Sequence, residues 1–405
     1  MLDDIRALDL TDEKGLFCGK ILANLGVEVI KVERPGGDLT RMLGPFCDGE
    51  VNPERSLYWI AYNGGKKSIT LDITGERGKH YFRELAIGAD IIIESFPPDQ
   101  LEGLGLGYND LSKINPGLIL VSITPYGSTG PYKDLKASDI TLAAMSGLMS
   151  LTGDKDRAPL RLCLEQSYCL AGTHAAVGLL YALYERSISG LGQHIDVSAY
   201  ECIVLANYRE PMMWEWEKRI ANRKGDRLFR GKGTTKQVWE CKDGYITWNL
   251  IDNPGMLKNL VGCMDEEGMA GTLKSIEWDK LPITDLSTEE IMPIEERISA
   301  FFLKHTKNEL ERISIQKNLT LSVINDLHDV MESDQLMERG FWCDQGYSEF
   351  GKSIKIPGFL FLSEEAPSRV RSKAPRIGEH NEQILEIELG LSKEDMAELK
   401  EAKVI

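Results

Sequence analysis

The chain has 405 residues, of which 42% are hydrophobic and 27% are charged, the balance of an ordinary globular protein. Its formal net charge of −16 argues against sequence-independent binding to nucleic acid or anionic lipid, because both reward a positive surface. The length exceeds what one hydrophobic core usually supports, so we expect two domains, or one large domain with a substantial insertion.

Several absences from the sequence predict a cytoplasmic protein. The first ten residues lack the basic and apolar stretches of a signal peptide, and no apolar run has the roughly 18 residues that a membrane span needs. The eight cysteines form no CxxC pair, so reduced thiols are expected. The six histidines lack ligand spacing, and we expect no metal site.

Short β-like runs alternate with amphipathic helical stretches over roughly the first third of the chain. Residues 5–10 and 27–32 are predicted strands, and the helix between them is predicted to end at Gly26. The runs at 89–95 and 118–124 are almost continuously apolar, which is typical of strands buried on both faces of a parallel sheet. This alternation indicates a doubly wound α/β domain.

Helices are predicted next over residues 139–152, 166–188 and 199–222, with a short strand at 193–197. The polar, glycine-containing segment 224–236 is predicted to be a boundary or a mobile loop.

A β-hairpin is predicted over residues 237–250, with its turn at Lys242, Asp243 and Gly244. A late strand is expected within 353–363. Two short helices are expected between about 382 and 403.

The segment IKVERPGGDLTR places Arg34 and two glycines just beyond the end of a predicted strand. Ligands of open parallel sheets bind in the crevice at that edge, where an arginine can contact a phosphate or stack on a nucleotide ring. A surface turn with a structural arginine is the alternative.

Two further lysine positions are more ambiguous. Lys66 and Lys67 precede a short predicted strand and are expected to be solvated. Lys136 precedes a helix that begins near Ser138 or Asp139, a place suited to phosphate binding. Asp139 itself is expected to cap or orient that helix.

Seven blocks, in order along nearly the whole chain, resemble the class III CoA-transferases, a family that also contains α-methylacyl-CoA racemases. The blocks are LDLT (8–11), ANLGVEVIKVERPGGDLTR (23–41), NGGKKSITLDI (63–73), ADIIIESFPPDQLEGLGLGYNDLSKINPGLILVSITPYGSTGPY (89–132), SGLMSLTGDKDRAPLRL (146–162), ERSISGLGQHIDVSAYE (185–201) and APRIGEHNEQIL (374–385). The resemblance implies a Rossmann-like large domain with a parallel sheet, over residues 1–223 and 330–405, and a smaller α+β domain over 224–329. It also implies that two chains interlock as rings in a dimer.

The resemblance further implies that coenzyme A, as an acyl-CoA substrate, occupies the crevice at the sheet edge, without a metal. The positions that match CoA-contacting residues of the family are Arg34, Leu71, Ile73, Ser95, Phe96 and Lys136. The first three match the adenine end, and Lys136 matches a lysine near the pantetheine or the phosphates. Gly103 stands where many members carry a CoA-contacting basic residue.

Tyr168 stands where active members carry the nucleophilic aspartate, in the register set by Pro159 and Gly172. The aspartate is indispensable because each intermediate is covalently attached to it. A phenol with a pKa of about 10 is protonated at neutral pH and is no substitute. Glu165 is the nearest carboxylate, but three residues of helix displace it by most of a turn and about 4.5 Å. Ser138 stands at the histidine position of the racemases, so racemisation lacks both bases.

We therefore predict a catalytically silent subunit of a heteromeric CoA-transferase. The enzyme would move CoA from a donor such as succinyl-CoA to an acid such as benzylsuccinate, and a paralogous partner subunit would carry the aspartate. The run PMMWEW at 211–216 would suit an aromatic acid, although core packing is its more common explanation. A homodimeric transferase with Glu165 as nucleophile and a non-enzymatic acyl-CoA-binding protein remain as alternatives.

Overall fold

The computed structural model describes residues 2–347, 350–358, 360–365, 370 and 372–405. The chain divides into two compact units. The first comprises Met1–Ser150, Arg161–Ala221 and Met337–Ile405, and the second comprises Leu151–Leu160 and Asn222–Leu336. The domain boundaries drawn from the sequence stay a prediction.

The strands, in chain order, are β1 (Arg6–Leu10), β2 (Glu28–Glu33), β3 (Lys67–Thr70), β4 (Ile91–Glu94), β5 (Ile119–Thr124), β6 (His194–Ser198), β7 (Arg227–Arg230), β8 (Gly233–Lys236), β9 (Val238–Cys241), β10 (Gly244–Thr247), β11 (Ser322–Val323), β12 (Trp342–Tyr347) and β13 (Lys352–Pro357).

The α-helices, in chain order, are α1 (Leu16–Leu25), α2 (Leu57–Asn63), α3 (Glu76–Ile87), α4 (Gln100–Gly103), α5 (Tyr108–Ile114), α6 (Asp139–Met145), α7 (Leu148–Leu151), α8 (Gln166–Ser189), α9 (Ala199–Leu205), α10 (Arg209–Glu217), α11 (Pro254–Glu266), α12 (Thr288–Phe302), α13 (Lys307–Lys317), α14 (Leu327–Met331), α15 (Asp334–Glu338) and α16 (Lys393–Glu401). A π-helix spans Glu382–Glu388, and short 3-10 helices span Leu39–Met42, Cys47–Gly49, Gly271–Ser275 and Ile283–Asp285. None of the helices in the described ranges is both long and apolar enough to cross a membrane.

The first unit is built on a parallel sheet of six strands in the order β3-β2-β1-β4-β5-β6. Alternate residues of each strand face opposite layers, so that Ala7 packs with α1 and α8 while Leu8 packs with α3 and the C-terminal helices. The predicted α/β class is confirmed, and so are the strands of the first third of the chain. The strand order reverses between β1 and β4, the point where doubly wound sheets bind ligands.

Two predicted helices are each divided in the structure. The segment at 139–152 breaks at Gly147, whose φ of 85° lies in the left-handed region that glycine adopts without strain. The segment at 199–222 forms α9 and α10 instead of one helix. Pro211 accounts for this break, because a proline ring clashes with the carbonyl four residues earlier and is tolerated only in the first turn of a helix.

The second unit contains a three-stranded sheet, β11-β10-β9, covered by α11, α12 and α13. Trp239, Trp248 and Phe302 meet edge to face at its centre. The hairpin predicted at 237–250 is confirmed as β9 and β10, with its turn at the predicted residues.

The segment 224–236 is not the loop that its composition predicted, since β7 and β8 form an antiparallel hairpin within it. Its polar residues have partners on α12. Arg227 donates to the Glu295 carboxylate at 2.8 Å, and the backbone N–H of Lys236 donates to the same carboxylate at 2.7 Å. The charged side chain of Arg227 therefore helps to order the segment instead of facing solvent.

The C-terminal predictions are confirmed in part. Strand β13 pairs antiparallel with β12, but it ends at Pro357, and residue 359 of the predicted strand lies outside the described residues. The predicted pair of short helices is the π-helix Glu382–Glu388 followed by α16.

The prediction that Lys66 is solvated is wrong, because its side chain is fully buried against Asp9. The Lys66 Nζ donates to Asp9 Oδ2 at 2.8 Å, and Lys31 Nζ lies 3.6 Å from Asp9 Oδ1. Gly19 of α1 makes room for this pair, since a Cβ there would lie 2.4 Å from Asp9 Oδ2. Burial alone would raise the pKa of Asp9, but Lys31 and Lys66 lower it to about 2.

Replacing Asp9 by asparagine should destabilise the fold by about 3–5 kcal/mol, because Lys66 then remains buried without a counter-charge and Lys31 keeps only its ion pair with Asp38. The pKa of Asp9 lies below its ordinary value of 3.8, so its contribution is complete above about pH 4 and is lost as the pH falls towards about 2. Urea unfolding of both proteins between pH 2 and pH 7 measures this.

The matched control is Asp110→Asn, which removes a carboxylate from an exposed pair with Lys113 on α5 and should cost less than about 0.5 kcal/mol. Equal stabilities of the Asp9→Asn and Asp110→Asn proteins at pH 7 would contradict the assignment.

Candidate active site

A cavity of about 600 Å³ lies along the carboxyl edge of the parallel sheet in the first unit. Its walls are the segments that leave five neighbouring strands, together with a loop before α6 and one residue of α8. The lining from these strands is Asp12, Glu13 and Lys14 after β1, Arg34, Asp38 and Leu39 after β2, 71–74 after β3, 95–98 after β4 and Pro125 after β5. Parallel strands place such segments side by side, so residues far apart in sequence share one crevice.

The structure brings together all six residues that the family resemblance assigns to CoA contact. These are Arg34, Leu71, Ile73, Ser95, Phe96 and Lys136, and Tyr168 lines the same cavity. Gly103 and Glu165 are not among the described residues of the lining. Gly103 ends α4 in the open, and Glu165 precedes the first residue of α8.

The loops around the cavity are tied to one another by buried hydrogen bonds. The Ser95 hydroxyl donates to Asp12 Oδ1 at 2.7 Å and accepts from the Asp12 backbone N–H at 2.8 Å. Lys31, buried beneath, donates to the Thr11 carbonyl and lies 3.4 Å from Asp38 Oδ2. These contacts hold the segments after β1, β2 and β4 at fixed places along the cavity.

Tyr168 enters the cavity wall from the first turn of α8, where only 5% of its surface is exposed. Asp139 orients this turn, because its Oδ1 accepts from the Ser167 backbone N–H at 2.7 Å. Asp139 thus caps α8, whereas α6, which begins at Asp139, is capped by the neighbouring Ser138 in a capping box with Thr141.

Burial raises the pKa of the Tyr168 phenol, and the negative charges of Glu13, Asp12 and Asp139 raise it further. The phenol therefore stays protonated throughout the physiological range. It can donate a hydrogen bond or fill space, but it cannot act as an anionic nucleophile.

The sequence reasoning missed Glu13, whose half-buried side chain lies in the cavity wall. Burial and the neighbouring Asp12 raise the pKa of Glu13. Its position gave a signal: it follows the β1 segment LDLT by two residues, at the same sheet edge as Arg34.

A second carboxylate, that of Glu94, is buried and contacts the backbone of the cavity lining. Glu94 ends β4, is 5% exposed and accepts from the backbone N–H of Phe96 at 2.7 Å. Burial raises the pKa of Glu94 to about 7, although the hydrogen bonds from Ser122 and from Phe96 oppose the shift.

One cluster among the described residues brings three potential metal ligands together, namely Asp326, His328 and Asp329 in the second unit. Its carboxylates already have partners. Asp326 accepts from two N–H groups at the start of α14, and Asp329 forms an ion pair with Lys307 at 2.6 Å. The cluster is a helix cap on an exposed surface.

A doubly wound sheet with an apolar cleft at its switch point, lined by arginine and lysine, defines a protein that binds a nucleotide-containing ligand. The family model described as CoA-transferase family III matches residues 2–381, and the chain belongs to this family. The predicted family, the CoA-transferase activity and the acyl-CoA substrate are thereby confirmed.

Relatives of known activity match over the full length of the chain. The succinyl-CoA:(R)-benzylsuccinate CoA-transferase subunit BbsE of Thauera aromatica is 34% identical over 389 residues, which are 94% of this chain and 92% of that protein. The succinyl-CoA–D-citramalate CoA-transferase of Chloroflexus aurantiacus is 30% identical, over 100% of this chain and 98% of that protein. A crystal structure of a CAIB/BAIF family protein from Brucella suis superimposes with a TM-score of 0.82 at 28% identity and covers 95% of this chain and 98% of that one.

The substitution Glu94→Gln should stabilise the protein above neutral pH. Because the folded-state pKa of Glu94 is raised from 4.5 to about 7, the folded protein loses stability as the pH rises through that interval. Glu94→Gln abolishes this loss, so at pH 8 it should be the more stable protein by an amount on the order of 3 kcal/mol, and near pH 4 the two should be equal. Chemical unfolding at both pH values measures the difference.

Glu84→Gln is the control, since Glu84 is exposed on α3 and its substitution should leave the pH profile unchanged. A Glu94→Gln protein whose stability followed the parent's from pH 4 to pH 8 would refute the buried, protonated carboxyl group.

Proposed function

We propose that this chain is the subunit of a heteromeric, succinyl-CoA-dependent CoA-transferase that lacks the catalytic aspartate. Its partner is a paralogous subunit that carries the aspartate, and the acceptor is a carboxylic acid such as benzylsuccinate. The observation that carries the proposal is the buried, neutral Tyr168 in the wall of the cavity that all six predicted CoA-contacting residues line. The relative BbsE is itself named as a subunit of a benzylsuccinate CoA-transferase. We propose a cytoplasmic location, in keeping with eight free cysteines.

The orientation of CoA is part of the proposal. Arg34, Leu71 and Ile73 lie towards the β3 edge of the cavity and hold the adenine end. Lys136 lies near the phosphates or the pantetheine, and Tyr168 lies at the thioester end of the acyl-CoA. Ser95 and Phe96 form the wall between them.

The chemistry explains why a tyrosine silences the site. A carboxylate oxygen attacks the thioester carbonyl and the CoA thiolate leaves, which forms a mixed anhydride. The thiolate then attacks the carbonyl carbon on the enzyme side, so that the donor acid departs and CoA is held as an enzyme thioester. An acceptor carboxylate repeats the two steps in reverse. Each step needs a carboxyl carbon on the protein, which a phenol does not have.

The surface of α8 supports a partner subunit. One face of this helix packs into the core through small residues such as Ala171, Ala175 and Ala182. The opposite face leaves a stripe of large apolar side chains exposed by 39–73%, namely Val177, Leu180, Tyr181, Tyr184 and Ile188. Contiguous exposed patches of this kind mark protein interfaces. The interlocked-ring arrangement of the two chains stays a prediction.

The tryptophans of α10 also bear on whether this chain contacts a partner subunit. Trp214 is 48% exposed and Trp216 is 89% exposed, so core packing within this chain does not explain the PMMWEW run. Exposed tryptophans are typical of interface anchors and of aromatic ligand contacts.

The chain expressed alone should show no succinyl-CoA-dependent transfer, and co-expression with the aspartate-bearing paralogue should restore it. In that complex, Tyr168→Phe should leave kcat within about twofold, because the ring fills space and no proton is exchanged. Substitution of the partner's aspartate should abolish turnover. Steady-state assays with benzylsuccinate as acceptor measure all three.

Full activity of the lone chain would sink the silent-subunit proposal in favour of a homodimeric enzyme with Glu165 as nucleophile. Hydroxylamine trapping during turnover would then have to modify Glu165. Tight CoA binding without turnover in any combination would favour the acyl-CoA-binding protein.

The paired substitution Tyr181→Lys and Tyr184→Lys should reduce the partner recovered with a tagged chain at least about tenfold, because two charges would be buried at the interface. Co-purification at matched expression measures it. Tyr245→Lys, a tyrosine 53% exposed on β10, is the matched control and should leave recovery unchanged. Unchanged recovery with the double variant would exclude α8 as the contact surface.

A further inference from the structure

The carboxylates that line the cavity differ in whether they have a hydrogen-bond or ion-pair partner. Asp12 accepts from the Ser95 hydroxyl and from Lys14, and Asp38 accepts from Thr40 and pairs with Lys31. Asp72 accepts from the N–H and the hydroxyl of Thr74.

Glu13 has no such partner, and it is half-buried, unlike Asp134, the exposed fifth carboxylate of the lining. Within the part of the chain that the structure describes, its carboxylate forms no ion pair and no hydrogen bond to another residue, although the Lys14 ammonium attracts it and the Asp12 and Asp38 carboxylates repel it. It is half-buried and lines the cavity, and among the carboxylates around Tyr168 it has the strongest electrostatic effect on the phenol. Glu13 and Asp12 face the single ammonium of Lys14, so a net negative charge lies at the Tyr168 end of the cavity.

Four cations line the cavity, namely Lys14, Arg34, Lys133 and Lys136, and the first three already have partners. The Lys14 ammonium pairs with Asp12, and Lys133 pairs with Asp99 at 2.8 Å. Arg34 lies after β2 and donates from Nε to the Gly37 carbonyl at 3.1 Å. The exposed Lys136 is the cation that the proposed orientation assigns to the phosphates or the pantetheine, so a carboxylate introduced beside Tyr168 would meet Glu13 and Asp12.

We propose that Glu13 is a specificity-determining residue, which excludes thioesters with an anionic acyl group from this chain's cavity and admits free CoA or an uncharged acyl-CoA. The inference rests on the orientation of CoA in the proposed function. It assigns the dicarboxylic donor to the partner's site. Two like charges a few ångströms apart in a partly buried site interact strongly enough to change binding by about tenfold.

The test compares two probes of equal carbon number, butyryl-CoA and succinyl-CoA, as competitors of a fluorescent CoA analogue at pH 8. The full chain is used alone or with its co-purified partner, whose contribution is common to all variants. The parent should bind butyryl-CoA about tenfold more tightly than succinyl-CoA. Glu13→Gln should bring the two affinities within about threefold, and Glu13→Lys should invert the preference.

Glu165→Gln is the matched control. Glu165 also raises the pKa of Tyr168, but it is not among the described residues of the lining, so its substitution should leave the ratio of affinities unchanged. Equal affinities of the two thioesters for the parent would overturn the inference, and so would an unchanged ratio in both Glu13 variants. Acylation of Glu13 that hydroxylamine reverses would overturn it as well, because a carboxylate that accepts the acyl group does not repel it.

The two proposals fail separately. Turnover by the lone chain would refute the silent subunit whatever the binding ratio. A lone chain that is inactive and binds succinyl-CoA as well as butyryl-CoA would refute only the role of Glu13.

Discussion

The ion pairs of Asp9 with Lys31 and Lys66 join three adjacent strands of the parallel sheet in the first unit. Asp9 belongs to β1, Lys31 to β2, and Lys66 immediately precedes β3. All three side chains are fully buried, and such burial costs desolvation that the Coulomb attraction only partly offsets. The contribution of these ion pairs is to fix the positions of the neighbouring segments. Lys31 also holds the Thr11 carbonyl and Asp38, so one buried ammonium fixes the two loops that carry Asp12, Glu13 and Arg34 to the cavity.

Binding and chemistry are separable in such a site, because different elements supply them. The loops after β1 to β5 shape the cavity, whereas Tyr168, which the family resemblance places at the position of the nucleophile, belongs to α8. Asp139 fixes the first turn of α8 through the Ser167 N–H, and this contact does not depend on the side chain at 168. A tyrosine can therefore replace the aspartate while the cavity and the helix stay in place. The large ring packs with the core on one side and lines the cavity on the other.

Sequence patterns predicted the strands well and the charged sites poorly, for a common reason. A continuous apolar run such as 118–124 carries its own burial signal, and β5 lies there. Lys66 carries none, because its burial depends on Asp9, which is 57 residues away. The prediction for 224–236 was wrong for the same reason, since Glu295, which pairs with Arg227, is 68 residues away. The six CoA positions came from family resemblance, and no periodicity would have joined six residues from four separate loops. Glu13 was missed because its role depends on which neighbouring carboxylates already have partners.

In the proposed heteromer, the charge at the Tyr168 end of the cavity would bear on how the two subunits divide binding and chemistry. A silent site that still bound the donor would withhold succinyl-CoA from the active one, because every molecule held there is unproductive. Loss of the nucleophile alone leaves that competition in place. An unpaired carboxylate beside the lost position removes it, since it repels the donor's distal carboxylate but leaves the contacts to the adenine end intact. On this argument Tyr168 and Glu13 are two parts of one change, in which the first ends the chemistry and the second ends the competition for substrate.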